Sequence, residues 1–198
     1  MPEAGGGAFE IVAIAASAGG LTAISKVLEE LPPSFPASVL VVQHVDPRHR
    51  SLMASILSRR TRLPVKEAEA GERIVPGTVY VAPPNHHLLV NADGTLVLTQ
   101  TELVHFVRPS ADLLFESVAA SFRDRVIAVV LSGTGVDGSM GVEAVNKMGG
   151  TVIAEDEQSS EFFGMPQAAI QTGFVDFVLP LTEISSALQS LVMAGEIE

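Results

Sequence analysis

Three polar residues of the chain have the types that hydrolytic enzymes use for nucleophilic catalysis. Ser17, His44 and Asp137 each lie just beyond the carboxyl end of a strand that the hydrophobic pattern predicts to be buried. In open parallel sheets, ligands bind at this edge. There Ser17 could attack a carbonyl group, His44 could take the hydroxyl proton, and Asp137 could orient the imidazole and stabilise its charged form. The chain order Ser, His, Asp is acceptable because such triads are defined by geometry.

The turn that contains Ser17 could also stabilise a negatively charged oxygen. Ser17 stands between a predicted strand and the start of a predicted helix, where backbone N–H groups have no partner within the helix. The N–H of Ala18 is one of these groups. We therefore expect Ala18 to contribute to an oxyanion hole.

Each candidate residue also has a structural interpretation, and the residues alone leave both open. A serine in a small-residue turn is usually a helix cap. The segment AASAGG would equally suit a loop that cradles a phosphate, although neither G-x-G-x-x-G nor a Walker lysine is present. His44 alone would be a hydrogen-bonded loop residue, and Asp137 alone would be a turn former. The other histidines show no spacing that requires a metal site, and we expect them to be structural or exposed.

Composition sets limits on the function. The chain has 198 residues, enough for about one domain with a substantial core. Its 12 Lys and Arg residues against 23 Asp and Glu residues give a net charge of −11, which argues against a nucleic acid partner. There is no cysteine, so a nucleophile must be a hydroxyl, amine or carboxylate. Without an apolar run of ~18 residues or a signal peptide pattern, we expect a cytoplasmic protein that is not inserted in a membrane.

The hydrophobic pattern predicts an α/β fold, a doubly wound and mostly parallel sheet with helices on both faces. Apolar runs of strand length alternate with segments of helical period, as in Glu10 to Ala16 followed by Leu21 to Leu31. Ser38 to Gln43 and Val126 to Ser132 are further buried strands. Each candidate residue therefore follows the end of one predicted buried strand.

The rest of the chain predicts few additional features. Asn91 to Gly94 is typical of the turn of a small antiparallel hairpin. Residues 1–9 contain a run of glycines, and we expect them to form a flexible leader. No linker is long enough to divide the remainder, so residues 10–194 are predicted to form a single domain.

Six segments, in order along the chain, share the pattern of one known family. They are IAASAGGLTAI, VVQHVDP, EAGERIVPGTVYVAPPNHHL, RPSADLLFESVA, VVLSGTGVDGSMG and IAEDEQSSEFFGMPQAAI. Together, from about Ile11 to Leu191, they resemble the catalytic domain of the CheB-type protein-glutamate methylesterases of bacterial chemotaxis. The resemblance implies hydrolysis of glutamate γ-methyl esters on cytoplasmic chemoreceptor helices, with release of methanol. It implies Ser17 as the nucleophile, His44 as the base and Asp137 as its orienting partner, and this chemistry needs no metal or organic cofactor.

The chain departs from the family pattern near the predicted site. Family members commonly carry Thr after the nucleophile, where this chain has Ala18, and T-G-M-G before the Asp loop, where Ser132 to Gly135 read S-G-T-G. Glu155 stands where a Gln is common. We expect Thr134 to contribute to the oxyanion hole through its backbone N–H. Arg108 either binds a substrate carboxylate or braces the start of the following helix.

Several functions and modes of control stay open at this level. The alternatives to a methylesterase are a receptor glutamine deamidase with the same triad, a non-catalytic chemosensory adaptor, and a small-molecule esterase. The last is disfavoured because a lipase-like G-x-S-x-G elbow is absent. Many family members have a receiver domain that covers the site, and Ser17 stands too near Met1 for one to precede it. We expect control by a separate regulatory protein, a continuously accessible site, or a longer product of which this is one domain.

Overall fold

The computed structural model of the protein describes residues 9–46, 48 and 51–194, with strands and helices alternating along the chain. The strands are β1 Ile11–Ala16, β2 Ser38–Gln43, β3 Val65–Glu67, β4 Val79–Val81, β5 His87–Val90, β6 Leu96–Thr99, β7 Val126–Val130, β8 Thr151–Glu155 and β9 Phe177–Leu179. The helices are α1 Gly20–Glu29, α2 Met53–Ser58, α3 Ala111–Phe122, α4 Ser139–Lys147, α5 Gly164–Gln171 and α6 Leu181–Met193. A short 3₁₀ turn at Arg123–Arg125 joins α3 to β7.

Seven strands form one parallel sheet in the order β3-β4-β2-β1-β7-β8-β9. Its central strands are continuous apolar runs because both faces of the sheet are covered. Ala13 and Ala15 of β1 pack with α3, α4 and α5 on one face, whereas Val12 and Ile14 pack with α1, α2 and α6 on the other. The predicted doubly wound α/β fold is confirmed.

The antiparallel hairpin is also present, and it lies outside the main sheet. β5 and β6 pair with each other, and the Asn91 N–H donates to the Thr95 carbonyl at 2.9 Å across the turn. Gly94 has φ of 82°, a left-handed conformation that glycine adopts without strain. The hairpin packs against the face that carries α3, with Leu88, Val90 and Leu96 in the core.

The structure describes only the last residue of the predicted leader. Of the predicted leader, residues 1–8 lie outside the described residues, and Phe9 is partly buried against the α1 side of the sheet. No helix in the described part of the chain is long and apolar enough to cross a membrane. The division into a leader and one domain stays a prediction.

The order of the strands creates a crevice above β1. From β1 the chain moves to β2 and β4 on one side of the sheet, and later to β7, β8 and β9 on the other. The loops that follow β1, β2 and β7 therefore diverge at the same sheet edge, which is the position where doubly wound folds bind ligands.

Candidate active site

The pairing of β1 with its neighbours places Ser17 between two loops. Ala16 is in register with Gln43, and the His44 N–H extends the ladder by donating to the Ala16 carbonyl at 3.1 Å. On the other side, the Ser17 N–H donates to the Ser132 carbonyl at 3.0 Å. Ser17 therefore lies beside His44 and next to the loop that follows β7.

His44 and Asp137 form a direct hydrogen bond. The distance from His44 Nε2 to Asp137 Oδ2 is 2.7 Å, and the two side chains are 12% and 3% exposed. Because Nε2 donates to the carboxylate, Nδ1 is the nitrogen left to accept a proton. No residue in the described ranges bonds to Nδ1. In the chymotrypsin triad the two nitrogens have the opposite assignments.

Four donors converge on the carboxylate of Asp137. The Ser110 hydroxyl and the Asp112 N–H donate to Oδ1 at 2.9 and 3.1 Å, and the Ala111 N–H donates to Oδ2 at 2.6 Å, beside the bond from His44. Ser110 is the N-cap of α3, so the amides come from the first turn of that helix. Burial alone would raise the pKa of Asp137, but these hydrogen bonds outweigh it and lower the pKa below its usual value.

A second buried carboxylate, Asp112, makes contacts that hold the surroundings of Asp137 in place. Asp112 accepts the Gly141 N–H at 2.7 Å and pairs with His105 Nε2 at 3.1 Å. Burial raises the pKa of Asp112 to about 6, and the charge of Asp137 adds to the increase, whereas the Gly141 amide and His105 oppose it. Asp112 thereby ties the start of α4 to α3 and fixes the loop that carries Asp137.

The backbone N–H groups of Ala18 and Thr134 have no acceptor within the described residues, and the same is true of their neighbours Gly19 and Gly135. Ala18 is half-buried ahead of α1, and Thr134 is exposed in the loop after β7. Gly133 brings that loop against Ser17, since a Cβ on Gly133 would lie 2.9 Å from the Ser17 Cβ. The two positions expected to stabilise an oxyanion thus flank Ser17.

Arg108 is engaged within the protein. Its guanidinium donates twice to Asn85 Oδ1, at 3.0 and 2.6 Å, and to the carbonyls of Gln100 and Thr101 at 3.1 and 2.8 Å. These contacts brace the segment that leads into α3. They occupy four of the five N–H groups, so binding of a substrate carboxylate by Arg108 stays a prediction with one donor left for it.

Two residues that position the site were not identified from the sequence. Gln43 Nε2 donates to the carbonyls of Ser17 and His44 at 2.7 and 3.2 Å. The Ser132 hydroxyl donates to the Ala18 carbonyl at 2.7 Å. Both residues are polar positions at the end of an otherwise apolar run, VVQ and VLS, and this is the signal that could have revealed them.

The other histidines that the structure describes, His86, His87 and His105, make hydrogen bonds within the protein, as expected for structural residues. His87 is fully buried, and it accepts the Ser110 N–H at Nδ1 and donates to the Glu102 carbonyl from Nε2. His49 lies outside the described residues. Among those that are described, no group of three or more His, Asp or Glu residues is arranged to hold a metal ion.

Glu155, at the carboxyl end of β8, is a buried carboxylate one hydrogen bond away from the Ser17 loop. It is 0% exposed, and it accepts the Ser132 N–H at 2.9 Å and the Ser159 hydroxyl at 3.1 Å. Burial raises its pKa, and the hydrogen bonds from Ser132 and Ser159 offset only part of the increase. Ionisation of Glu155 is therefore less favourable in the folded protein than in the unfolded chain.

Replacing Glu155 by Gln is expected to stabilise the protein at pH 8 and not at pH 4. When a carboxyl group has a higher pKa in the folded state, the protein loses stability as pH rises from the pKa of that group in the unfolded chain, near 4.5, through its pKa in the folded protein. The Gln amide can accept the Ser132 N–H and donate to Ser159, whose hydroxyl proton already reaches Asp156 at 2.8 Å. If the substitution raises the free energy of unfolding by about 1 kcal/mol, Tm should rise by about 2–4 °C.

Thermal unfolding at the two pH values measures this difference. Glu157→Gln is the matched control, because Glu157 lies two residues away and its side chain is exposed to solvent. A gain of equal size at pH 4 and pH 8 would show that packing, and not charge, is responsible. A loss of stability at pH 8 would contradict the prediction outright.

Comparison with known proteins shows the family of the chain. The profile of the family described as CheB methylesterase matches residues 12–188. The chain belongs to the CheB methylesterase family. Among solved structures, the Thermotoga maritima CheB methylesterase catalytic domain superposes with a TM-score of 0.89 at 40% identity, covering 92% of this chain and 98% of that one.

Curated CheB-family relatives show similar identities. FrzG, a protein-glutamate methylesterase of Myxococcus xanthus, is 42% identical over 93% of this chain and 55% of its own length. The Thermotoga maritima protein-glutamate methylesterase/protein-glutamine glutaminase is 40% identical over 92% of this chain and 54% of its own length. The chain therefore spans about half the length of these two relatives. A putative enzyme of the same name from Leptospira interrogans is 38% identical over 92% of its length.

Proposed function

We propose that this CheB-family chain hydrolyses γ-methyl esters of glutamate residues in proteins and releases methanol. The main observation is that His44, on the loop beside the one that carries Ser17, donates to the buried carboxylate of Asp137 at 2.7 Å. The names of the relatives supply the substrate class, since FrzG and the Thermotoga protein are protein-glutamate methylesterases. The proposed substrates are methylated cytoplasmic helices of chemoreceptors, in chemosensory adaptation.

The proposed reaction has two stages with an acyl-enzyme between them. The Ser17 oxygen attacks the ester carbonyl while His44 Nδ1 accepts the hydroxyl proton. The N–H groups of Ala18 and Thr134 stabilise the tetrahedral oxyanion. His44 then donates its proton to the departing methoxide, and methanol leaves. A water molecule, deprotonated by the same nitrogen, hydrolyses the acyl-enzyme to release the glutamate carboxylate and restore Ser17.

Asp137 has an electrostatic function in this scheme. The hydrogen bond from His44 and those from the amides of Ala111 and Asp112 keep the pKa of Asp137 low, so its carboxylate stays negative while His44 carries a proton. Its bond to Nε2 also holds the imidazole in the tautomer whose Nδ1 can accept. Both effects lower the energy of the charged transition state relative to the resting enzyme.

The proposal is tested by methanol release from chemoreceptor membranes that carry tritiated methyl esters. We expect wild-type protein to release methanol and the Ser17→Ala variant to release it at least about 10³-fold more slowly. Equal release by both proteins would contradict the role of Ser17. If wild-type protein hydrolyses p-nitrophenyl acetate but releases no methanol from any receptor, the esterase chemistry stands and the assignment of protein methyl esters fails.

A second activity, deamidation of receptor glutamines, uses the same arrangement on a primary amide. The names of the Thermotoga and Leptospira relatives include protein-glutamine glutaminase, and this favours the activity here as well. In that case His44 donates its proton to the amide nitrogen of the tetrahedral intermediate in place of methoxide, and this nitrogen leaves as ammonia. Ammonia release from a receptor fragment that carries Gln at the methylated position measures it directly.

The proposal has consequences for location and control. Chemoreceptor signalling helices are cytoplasmic, so the proposed substrate implies that the chain acts in the cytoplasm. Control of the site by a separate regulatory protein stays a prediction. It would be measured as a change in methanol release when components of the same chemosensory system are added to the purified chain.

A further inference from the structure

A two-residue turn between β6 and α3 has an unusual conformation. Val104 and Val107 exchange backbone hydrogen bonds of 3.1 and 2.9 Å, so His105 and Phe106 are its two central residues. Their φ angles are 48° and 65°. Two-residue turns of this left-handed kind are normally formed by Gly, which has no Cβ, and by Asn, whose short polar side chain can hydrogen-bond locally, whereas bulkier side chains are strained there. A histidine followed by a phenylalanine is therefore a strained choice.

Polar contacts on both sides hold this turn in place. His105 pairs with the buried Asp112, and the Arg108 guanidinium binds the carbonyls of Gln100 and Thr101 at the base of the segment. Phe106 contributes little to this support, because its side chain is 94% exposed. The protein thus keeps a large aromatic side chain in solvent on a strained backbone, a combination that points to a function outside folding.

The turn borders a small cavity that reaches His44. The cavity has a volume of about 140 Å³ and is lined by His44, Asn85, Leu103, Phe106 and Val107 among others. Its lining is mostly apolar. A cavity of ~150 Å³ with apolar walls accommodates benzene, so this one is large enough for a single apolar side chain. Because His44 lines it, the cavity adjoins the proposed reaction site.

We propose that Phe106 and this cavity bind an apolar side chain of the substrate, located one helical turn from the methylated glutamate. The inference rests on the proposed function. On a helix, residues three or four positions apart lie about 5–6 Å from each other on the same face. When the ester reaches Ser17 and His44, such a neighbour faces the adjoining cavity. Phe106 is then a specificity-determining residue that selects which methylated glutamates are hydrolysed.

The experiment measures binding separately from turnover. A fluorescent helical peptide carries one γ-methyl glutamate with leucines three and four residues to either side, and a second peptide has serine in place of those leucines. Binding is measured by anisotropy to protein with Ser17→Ala, which prevents hydrolysis. Phe106→Asn is the main variant, because Asn suits a left-handed turn and folding is retained. Phe177→Ala is the control, since Phe177 is a half-exposed aromatic residue in β9.

We expect Phe106→Asn to weaken binding of the leucine peptide by about 10-fold, the size of effect typical of an aromatic anchor. The serine peptide should bind equally weakly to proteins with and without Phe106, so that the two changes are not additive. Phe177→Ala should leave the affinity unchanged. Binding of the leucine peptide that changes by less than 2-fold in Phe106→Asn, or that is not measurable at all, overturns the inference.

The result is distinguishable from a failure of the proposed function. Phe106-dependent binding without methanol release by wild-type protein would leave the docking inference intact and refute the esterase assignment for that substrate. Methanol release that does not depend on Phe106 would support the esterase and refute the inference.

Discussion

Ser17→Ala is expected to lower kcat for methyl-ester hydrolysis by at least about 10³-fold. The substitution removes the oxygen proposed to form the acyl-enzyme, so only direct attack by water would remain. The N–H groups of Ala18 and Thr134 are left in place, and they should support a small residual rate above the uncatalysed reaction. The substrate contacts inferred for Phe106 are not touched, so the affinity for methylated peptide should be retained.

Folding should not obscure this effect. Within the described residues, Ser17 is bound through its backbone N–H and carbonyl, and its hydroxyl makes no hydrogen bond. Tm should therefore be close to that of wild type. Ser25→Ala, the same chemical change one helical turn into α1, is the matched control and should retain full activity. A decrease of less than 10-fold in the single-turnover rate of Ser17→Ala would mean that water, and not Ser17, attacks the ester.

Continuous apolar runs made much of this site predictable from sequence. Buried parallel strands are the strongest pattern in the chain, and their carboxyl ends share one edge. A polar residue just beyond such a run is therefore placed at this edge of the sheet, close to the polar residues that follow the other strands. His44 and Asp137 meet there although 93 positions separate them in the sequence. The structure brings these two side chains together as the strand-end argument predicts.

The supporting residues were not predictable in the same way. The pairing of Asp112 with the Gly141 N–H depends on how α3 packs against α4, which no local pattern encodes. Which nitrogen of His44 faces Asp137 depends on side-chain rotation. The turn at His105 and Phe106 has neither Gly nor Asn, so turn propensity predicts nothing there. Strained positions are where sequence reasoning is expected to fail, and they are often functional.

Asp137→Asn is expected to lower kcat by about 10³- to 10⁴-fold, comparable to the loss from the same change in the chymotrypsin triad. Each oxygen of Asp137 accepts two donors: Ser110 and the Asp112 N–H at Oδ1, and the Ala111 N–H and His44 at Oδ2. Whichever atom becomes the NH₂ group therefore faces two other donors. If it faces His44, the imidazole must lose its Nε2 proton and carry the proton on Nδ1, where it can no longer deprotonate Ser17.

In the alternative orientation, the introduced amide directs its NH₂ group at the Ser110 hydroxyl and the Asp112 N–H, and no negative charge remains to stabilise protonated His44. Both orientations leave a buried donor unsatisfied, which costs about 1–3 kcal/mol, so Tm should fall as well. Rates should be measured well below that Tm, with Asp124→Asn, an exposed residue before β7, as the matched control. Because Asp137 acts only through His44 and Ser17, a protein with both Ser17→Ala and Asp137→Asn should be no slower than Ser17→Ala alone. An Asp137→Asn protein that keeps more than a tenth of wild-type kcat would show that the 2.7 Å contact with His44 is structural and not part of the reaction.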